Sequence, residues 1–268
     1  MKKKVYFLSG FPRSGNTLLS TILNQNKDIA STGHSILPNV FFEMEKIKNH
    51  STTYQNFKTK DNLENVQKNV FENYYQHWKQ KYVIDRGEWG TPFNYSMLEQ
   101  YCPNEIKIIF LLRDPIDVLK SYLNLCSKYP NFYINNRYNS LDPTSLHRSE
   151  IEEKIELITK KNDLFDMICM SYNFIKNKKN VKFIHYKNLV TKPHSTLDEI
   201  YNFLDIPKFK HTFNIKNQFS INNISYNDDI IGAPLHTLHK GKLKNFSYPE
   251  INIPSYVIKK YERSFYDH

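Results

Sequence analysis

A short loop bounded by glycines follows the first apolar run of the chain and precedes a helical pattern. It reads Gly10-Phe11-Pro12-Arg13-Ser14-Gly15-Asn16-Thr17. The N-terminus of a helix offers unpaired backbone N–H groups and a partial positive charge, and Gly15 allows the chain to wrap closely around an anion. A Walker A loop, G-x-x-x-x-G-K-[ST], would have Lys where this chain has Asn16. The pattern therefore predicts a cradle for a single 5′-phosphate, with an ordinary strand-to-helix turn as the alternative.

A second basic junction follows a fully apolar run and reads FLLRDPIDVLKSYLN over residues 110–124. Arg113 ends the apolar run, and Ser121 comes eight residues later, two turns along the helix that Asp114 is expected to cap. A guanidinium fork and a hydroxyl can hold one anion together, so this pair predicts a second phosphate site, separate from the first. The alternative is a surface Arg113 paired with Asp114 or Asp117.

Strands and helices that alternate along the chain would position these loops. Apolar runs predict strands at residues 4–9, 82–85, 106–112 and 181–185. Helices are predicted after each basic loop, between residues 142 and 179 as one helix or two, and over Pro193–Leu204. This order indicates an α/β fold in three layers, a parallel sheet flanked by helices, with ligands at the carboxyl ends of the strands. No linker is apparent, so we predict one domain over residues 1–268.

Composition narrows the class of protein. The chain has 268 residues, 40% of them hydrophobic and 15% aromatic, which is enough for a sizeable core. No stretch reaches the ~20 apolar residues of a membrane span, and the first apolar run is too short for a signal peptide, so we predict a soluble cytoplasmic protein. Cys102, Cys126 and Cys169 are far apart, which favours neither disulfides nor a zinc site.

The charge of the chain is basic. Lys and Arg number 37 against 27 Asp and Glu, for a formal net charge of +10. This excess favours an anionic partner, which could be nucleic acid, an acidic membrane surface or a phosphorylated small molecule. The same excess could come from lysines that only solvate the surface, so charge alone does not choose among these partners.

The two basic loops together resemble the paired nucleotide loops of the sulfotransferases. PRSGNTLL at residues 12–19 is similar to that family's 5′-phosphosulfate loop, and LLRDPIDVLKSYLN at residues 111–124 is similar to its 3′-phosphate loop. Two further stretches agree, VIDRGEWGTPFNY at residues 83–95 and FIHYKNLVTKPHSTLDEIYNFLDIP at residues 183–207. The resemblance is greater to the tyrosylprotein and bacterial branches than to the cytosolic steroid and phenol enzymes.

The resemblance implies a P-loop-like fold that binds 3′-phosphoadenosine 5′-phosphosulfate (PAPS) and transfers its sulfuryl group to a hydroxyl or amine. The residues implied to contact the nucleotide are Arg13, Ser14, Gly15, Asn16 and Thr17 at the 5′-phosphosulfate, Arg113 and Ser121 at the 3′-phosphate, and Tyr186 near the adenine. Arg86 stands where the family has a Lys that stabilises the bridging oxygen. The family's C-terminal nucleotide signature is matched only weakly, by a shortened motif at residues 239–245.

Sulfuryl transfer depends on positioning and charge stabilisation, because its transition state is loose, as in phosphoryl transfer. Arg13 and Arg86 could supply the charge, and a sulfuryl group carries less negative charge than a terminal phosphoryl group, so no metal is expected. The acceptor also needs a general base. We predict His34, after the first helix, where the tyrosylprotein branch has its catalytic Glu; the alternative is a turn histidine without a catalytic task. Glu43 and Glu88 are further candidates if burial raises their pKa.

Two other classes of protein remain open from the sequence. A nucleotide or small-molecule kinase would share the architecture and bind ATP with Mg²⁺, but Asn16 in place of the Walker lysine argues against it. A nucleic-acid-binding protein would use the basic surface, but no recognition motif supports it. The acceptor could be a small molecule, a sugar or a peptide, and the sequence does not indicate the oligomeric state. Tyr74, Tyr75 and Trp78 form either an acceptor wall or the packed face of an amphipathic helix.

Overall fold

The apolar runs form a five-stranded parallel sheet in a computed structural model, which describes residues 3–57, 60–102, 104–161 and 163–265. The strands are β1 (Lys4–Gly10), β2 (Ile29–Ser31), β3 (Tyr82–Arg86), β4 (Ile108–Leu112) and β5 (Val181–His185). Their order in the sheet is β2-β3-β1-β4-β5. The predicted parallel α/β sheet is confirmed, and the three strands that lead into basic segments, β3, β1 and β4, are neighbours.

Strand β1 lies at the centre of the sheet, and its side chains enter the core on both faces. Its side chains alternate, with Val5 and Phe7 in one apolar cluster and Tyr6 and Leu8 in the other. Leu8 is in register with Arg86 of β3, so the end of β3 lies beside the end of β1. Because all five strands are parallel, their carboxyl ends share one edge of the sheet.

Helices cover both faces of the sheet. They are α1 (Asn16–Leu23), α2 (Leu37–His50), α3 (Thr52–Asn56), α4 (Lys60–Tyr74), α5 (Pro92–Tyr101), α6 (Pro115–Lys128), α7 (Tyr133–Asn139), α8 (Glu150–Ile158), α9 (Leu164–Ile175), α10 (Tyr186–Thr191), α11 (Pro193–Leu204) and α12 (Ser255–Phe265). Helices α1 and α11 pack on the face of Tyr6 and Leu8, and α5, α6 and α9 pack on the other. The predicted three-layer architecture is therefore confirmed.

Local sequence signals determine where several helices begin and end. Asp114 Oδ1 accepts a hydrogen bond from the backbone N–H of Ile116 at 2.7 Å, so α6 begins at Pro115 as predicted. Helix α11 has its predicted bounds. The long helical region is two helices: a capping box at Ser149 and Glu152 starts α8, which ends at Ile158, and α9 begins at Leu164.

The remaining elements were not predicted from the sequence. Strand β2 has three residues, too few to show a pattern. The region after α11 contains a two-stranded antiparallel sheet, β6 (Asn214–Ile215) and β7 (Gly241–Lys242), and a 3₁₀ turn at Asp228–Ile230.

Tyr75 is buried and donates a hydrogen bond to Asp85, which supports the packed-face interpretation for this residue. Over the described ranges, no helix combines the length and apolar character that crossing a bilayer requires.

Candidate active site

The loop between β1 and α1 is built from backbone conformations that few residues adopt. Gly10 has φ +140°, Gly15 has φ +90°, and Arg13 between them has φ +60°. A Cβ atom on Gly10 would lie 2.5 Å from the carbonyl oxygen of Leu111, so the loop leaves the sheet directly against β4. Gly15 is the N-cap of α1 and provides no side-chain cap for the first helical turn. This is the geometry that a main-chain phosphate cradle needs.

The side chains of Ser14 and Asn16 are buried and stabilise this loop. The Ser14 hydroxyl donates to the carbonyl of Phe11, and Asn16 Nδ2 donates to the same carbonyl at 2.9 Å and to Ser14 Oγ at 3.3 Å. Asn16 therefore braces the loop from within, at the position where a Walker loop has a lysine that reaches the ligand.

Arg13 and Ser121, which the sequence assigns to different phosphates, are in contact. Arg13 Nε donates to Ser121 Oγ at 3.1 Å, and Arg13 Nη1 donates to the carbonyl of Leu235. Ser121 is 1% exposed and lies on α6, as its spacing from Arg113 predicts. Burial lowers the pKa of the Arg13 guanidinium, and the neighbouring Arg113 lowers it further. The two predicted phosphate sites are thus adjoining parts of one basic surface.

Arg113 follows β4 and connects the two loops. Its Nη1 donates to the carbonyl of Arg13 at 2.6 Å, and its Nη2 donates to the carbonyl of Phe246 at 2.7 Å. The guanidinium carbon lies 4.7 Å from the ring centroid of Tyr186, whose hydroxyl donates to the carbonyl of Lys244 at 3.4 Å. Arg113 Nε is buried and has no hydrogen-bond partner among the residues that the structure describes. Arg113 and Tyr186 therefore share one wall with the first loop, and three of the five guanidinium N–H donors form no hydrogen bond within the described chain.

Arg86 ends β3 and contacts the loop that follows β2. Its backbone N–H donates to Thr32 Oγ1 at 2.7 Å, and its Nη1 donates to the carbonyl of Gly33 at 3.0 Å and to His34 Nδ1 at 2.8 Å. His34 Nε2 lies 3.8 Å from Glu88 Oε1. Three residues that the sequence singled out for catalysis, Arg86, His34 and Glu88, therefore form one group.

The imidazole of His34 is neutral at pH 7. Burial lowers its pKa to about 4, and the cationic Arg86 acts in the same direction, while Glu88 opposes both. A guanidinium has only N–H donors, so His34 Nδ1 must accept the bond from Arg86 and the ring hydrogen lies on Nε2. The lone pair of His34 is therefore directed at Arg86.

Glu43, the other carboxylate that the sequence suggested as a base, lies outside this group. It is exposed on α2, where one carboxylate oxygen is 2.8 Å from Lys46 Nζ. In the part of the chain that the structure describes, no group of three or more His, Cys, Asp and Glu side chains is placed to hold a metal ion.

A cavity of about 440 Å³ joins the predicted site residues. Those that line it are Arg13, Gly15, Asn16, Thr17, His34, Arg86, Arg113, Ser121 and Tyr186. Lys242 and Lys244 add two further cations, and no Asp or Glu is among the described residues that line it. Arginines and lysines with no neutralising carboxylate in the wall favour an anionic ligand.

The opposite wall comes from residues 226–248, to which the sequence assigned no element. The carbonyls of Leu235 and Phe246 accept the hydrogen bonds from the arginines described above. The rings of Tyr226 and His236 stack with centroids 3.7 Å apart and planes 2° apart, and His236 Nδ1 lies 2.6 Å from Asp228 Oδ1. In the sequence, only the weak match of residues 239–245 to the family's nucleotide signature indicated that this region lies at the site. The hydrogen bonds to main-chain carbonyls could not be predicted, because a carbonyl is present at every residue.

The sheet, the loop and the cavity together define a class of protein. A parallel sheet whose first strand leads through a glycine-bounded loop into a helix N-terminus, with a basic cavity at the carboxyl ends of the strands, is a P-loop-like α/β fold for phosphorylated ligands. Residues 6–211 match the profile described as the sulfotransferase family. The match spans most of the chain, which therefore belongs to the sulfotransferase family and is an enzyme that transfers a sulfuryl group. No curated protein sequence is significantly similar to it.

Several solved sulfotransferase structures are similar to this chain. The sulfotransferase domain of the Synechococcus PCC 7002 olefin synthase is 16% identical, with a TM-score of 0.57 over 100% of this chain and 97% of that one. A sulfotransferase from Alicyclobacillus acidocaldarius is 16% identical, with a TM-score of 0.49 over 81% and 87% of the two chains. A mouse sulfotransferase complexed with PAP is 18% identical, with a TM-score of 0.46 over 78% and 62%. The similarity to the Synechococcus domain covers the full length of this chain, so the two share one fold.

Proposed function

We propose that the sulfuryl donor is PAPS, that a single domain spanning residues 1–268 binds it, and that the acceptor is a hydroxyl or amine of a small molecule, a sugar or a peptide. The observation that carries this proposal is the contact between the two predicted phosphate sites. Arg13 reaches Ser121, and Arg113 reaches the backbone of Arg13. A ligand with a 5′-phosphosulfate and a separate 3′-phosphate on one ribose suits two adjoining sites of this kind.

The chemistry of the wall fits such a ligand. Arg13, Arg86 and Arg113 line the cavity together with two lysines, and Arg113 Nε is a buried donor without a partner in the described chain. A buried donor left unsatisfied is costly, so its presence beside a basic cavity supports binding of an anion there. Gly15 fits the same picture, because a Cβ atom at this position would lie 3.0 Å from the Tyr186 ring and would narrow the cavity.

In this proposal PAPS supplies an activated sulfuryl group, and the protein holds that group and stabilises the charge that develops during transfer. Arg13 lies in the loop proposed to bind the 5′-phosphosulfate. Arg86 is in register with Leu8, two residues before the end of β1, and its guanidinium is fixed by Gly33 and His34. A donor that is already in position requires little reorganisation as the reaction proceeds, which is the main source of electrostatic catalysis.

His34 remains the base predicted from the sequence. Its Nδ1 could take a proton only after the hydrogen bond from Arg86 breaks, because that bond occupies the lone pair. Glu88 is the carboxylate nearest to His34 Nε2 among the candidates and would be the next group to test.

A comparison of ligands tests the proposal. Thermal unfolding would be measured with adenosine 3′,5′-bisphosphate, with ATP and Mg²⁺, and with adenosine 5′-phosphate. At a hundredfold excess over its dissociation constant a ligand stabilises a protein by about 2.7 kcal/mol. For a domain of this size that corresponds to an increase in Tm of roughly 5–10 °C. We expect the largest increase with the bisphosphate; a larger increase with ATP and Mg²⁺ would contradict PAPS as the donor.

A further inference from the structure

A second histidine in the cavity is held by a carboxylate. His236 Nδ1 lies 2.6 Å from Asp228 Oδ1, and the backbone N–H of His236 donates to Asp228 Oδ2 at 2.8 Å. Both oxygens of Asp228 are therefore engaged by one residue, and the imidazole ring is fixed against the 3₁₀ turn. His236 lines the cavity with its side chain 17% exposed, and the Asp228 side chain is 18% exposed, so neither member of the pair is fully solvated.

This pairing determines the tautomer of His236. An ionised carboxylate can only accept hydrogen bonds, so neutral His236 carries its hydrogen on Nδ1 and has its lone pair on Nε2. No hydrogen bond to Nε2 is formed by the residues that the structure describes. The stacked ring of Tyr226 covers one face of the imidazole.

In His34 the ring hydrogen and the lone pair are on the opposite nitrogens from those in His236. Its Nδ1 lone pair accepts the hydrogen bond from Arg86, and the ring hydrogen is on Nε2. Of the two histidines beside Arg86, only His236 has a lone pair that is free to accept a proton. The same guanidinium that would stabilise the transferred group thus makes His34 a poor base.

His236 lies close to the residues proposed to act on the sulfuryl group. The carbonyl of Leu235, the preceding residue, accepts the hydrogen bond from Arg13. On the other side, Tyr226 Oη lies 2.7 Å from the position that a Cβ atom on Gly33 would take. His236 is therefore between the phosphosulfate loop and the loop held by Arg86, and it lines the same cavity.

Burial is the main reason that His236 is neutral at pH 7. Burial lowers its pKa, Arg86 and Arg13 lower it further, and Asp228 opposes them. Tyr226, which packs on the ring, has its own pKa raised by burial and is uncharged. A neutral imidazole whose lone pair accepts no hydrogen bond is the form that a general base needs at neutral pH.

We propose that His236 is the general base of the reaction and that Asp228 is its positioning residue; this inference rests on the proposed function. Nε2 takes the proton of the acceptor hydroxyl or amine, and the electron pair released from that bond forms the new bond to sulfur. The bond from sulfur to the bridging oxygen breaks, and its electron pair leaves with adenosine 3′,5′-bisphosphate. His236 becomes an imidazolium next to the Asp228 carboxylate, and the proton is then lost to solvent.

The test compares His236→Asn and His34→Asn, with His147→Asn as the control, because His147 is exposed and lies outside the cavity. The assay follows transfer of ³⁵S from labelled PAPS to tyramine, which offers a phenol and an amine, and to water. We expect His236→Asn to lose roughly 10²–10⁴-fold in turnover, the usual range for a general base. The affinity for adenosine 3′,5′-bisphosphate should stay within threefold of the starting protein. A His236→Asn enzyme with turnover within threefold of the starting protein would overturn the inference.

A second measurement does not depend on the acceptor. In ¹⁵N spectra of the histidine-labelled protein at pH 7, the His236 signals, assigned by their loss in His236→Asn, should show hydrogen on Nδ1 and none on Nε2. Asp228→Asn should shift this ring toward the Nε2–H tautomer while the affinity for the bisphosphate is retained. Hydrogen on Nε2 in the unaltered protein would refute the assignment. If the unaltered protein does not bind the bisphosphate, the proposed co-substrate is wrong, and the tautomer result still decides whether His236 has a free lone pair.

Discussion

Replacing Arg113 with Ala should weaken the binding of adenosine 3′,5′-bisphosphate far more than that of adenosine 5′-phosphate. The Arg113 guanidinium is held in place by the carbonyls of Arg13 and Phe246 and by the ring of Tyr186. The Tyr186 ring keeps the guanidinium beside the first loop, so the side chain loses little conformational entropy when its hydrogen bonds pass from the carbonyls to a phosphate. The alanine variant removes this preformed fork, and only the ligand with a 3′-phosphate would have used it.

The size of the effect follows from the hydrogen bonds that are exchanged. Two bonds from Arg113 to a phosphate would contribute about 1.5–3 kcal/mol each, because both partners are charged. Bonds to the two carbonyls that they replace are worth roughly 1 kcal/mol each and are lost when the ligand binds. The net loss in the variant is then roughly 1–4 kcal/mol. A central value near 2.5 kcal/mol corresponds to roughly a 60-fold increase in Kd.

Isothermal calorimetry at fixed ionic strength would measure both nucleotides on the same protein preparations. Arg148→Ala is the matched control, because it removes the same charge from an exposed pair with Glu156 outside the cavity. Arg113 also donates to the carbonyl of Arg13, so its loss could loosen the first loop. That indirect effect would weaken both nucleotides alike. An equal loss for the two ligands would therefore refute the assignment of Arg113 to the 3′-phosphate.

Three further predictions concern turnover and stability. Arg86→Lys should lower turnover at least tenfold in the ³⁵S transfer assay and leave bisphosphate affinity within threefold, because an ammonium cannot reproduce the guanidinium fork. Gly10→Ala should lower the free energy of unfolding in urea by about 1–3 kcal/mol, because φ is +140° and Leu111 lies where the Cβ would be. Burial raises the pKa of Asp85 to about 6, so its protonated form stabilises the fold fully below pH ~4 and this stability is lost as pH rises through 6. Asp85→Asn should remove up to about 3 kcal/mol of that pH dependence in urea titrations; an unchanged slope would show that Asp85 does not cause it.

The sheet and its main helices could be predicted because their signals are local. Strand β5 and helix α11 have the predicted bounds, and Asp114 caps α6 as expected. Strand β2 could not be predicted, because a three-residue strand is defined by its pairing with β3 and not by its own pattern. The capping box at Ser149 marks the start of α8 but leaves its length open, so the division of the region before β5 into α8 and α9 could not be predicted from it.

The part of the candidate site that lies at the ends of strands could be predicted from the sequence. Arg86 and Arg113 come at or just after the ends of β3 and β4, so a parallel sheet must bring them to one edge. The contact between Arg13 and Ser121 could not be read from spacing, because the long Arg13 side chain reaches from the first loop to a residue of α6 that is 108 positions away in the chain. His236 and Asp228 could not be predicted either, since they follow the last strand of the main sheet and meet only through the 3₁₀ turn.

The strand order and the course of residues 226–246 indicate the same orientation of the donor nucleotide in the cavity. Because β1 lies between β3 and β4, the edge of the sheet presents Arg86, the first loop and Arg113 in that sequence. Residues 226–246 run along this edge in the same direction: Tyr226 lies against the loop held by Arg86, the carbonyl of Leu235 binds Arg13, and that of Phe246 binds Arg113. A donor with its 3′-phosphate at Arg113 would then place its sulfuryl group toward Arg86. The acceptor must enter at this end, because in-line transfer requires it to approach sulfur opposite the leaving nucleotide. Stacked on Tyr226 at this end of the segment, His236 is on the side of the cavity where a base would be needed.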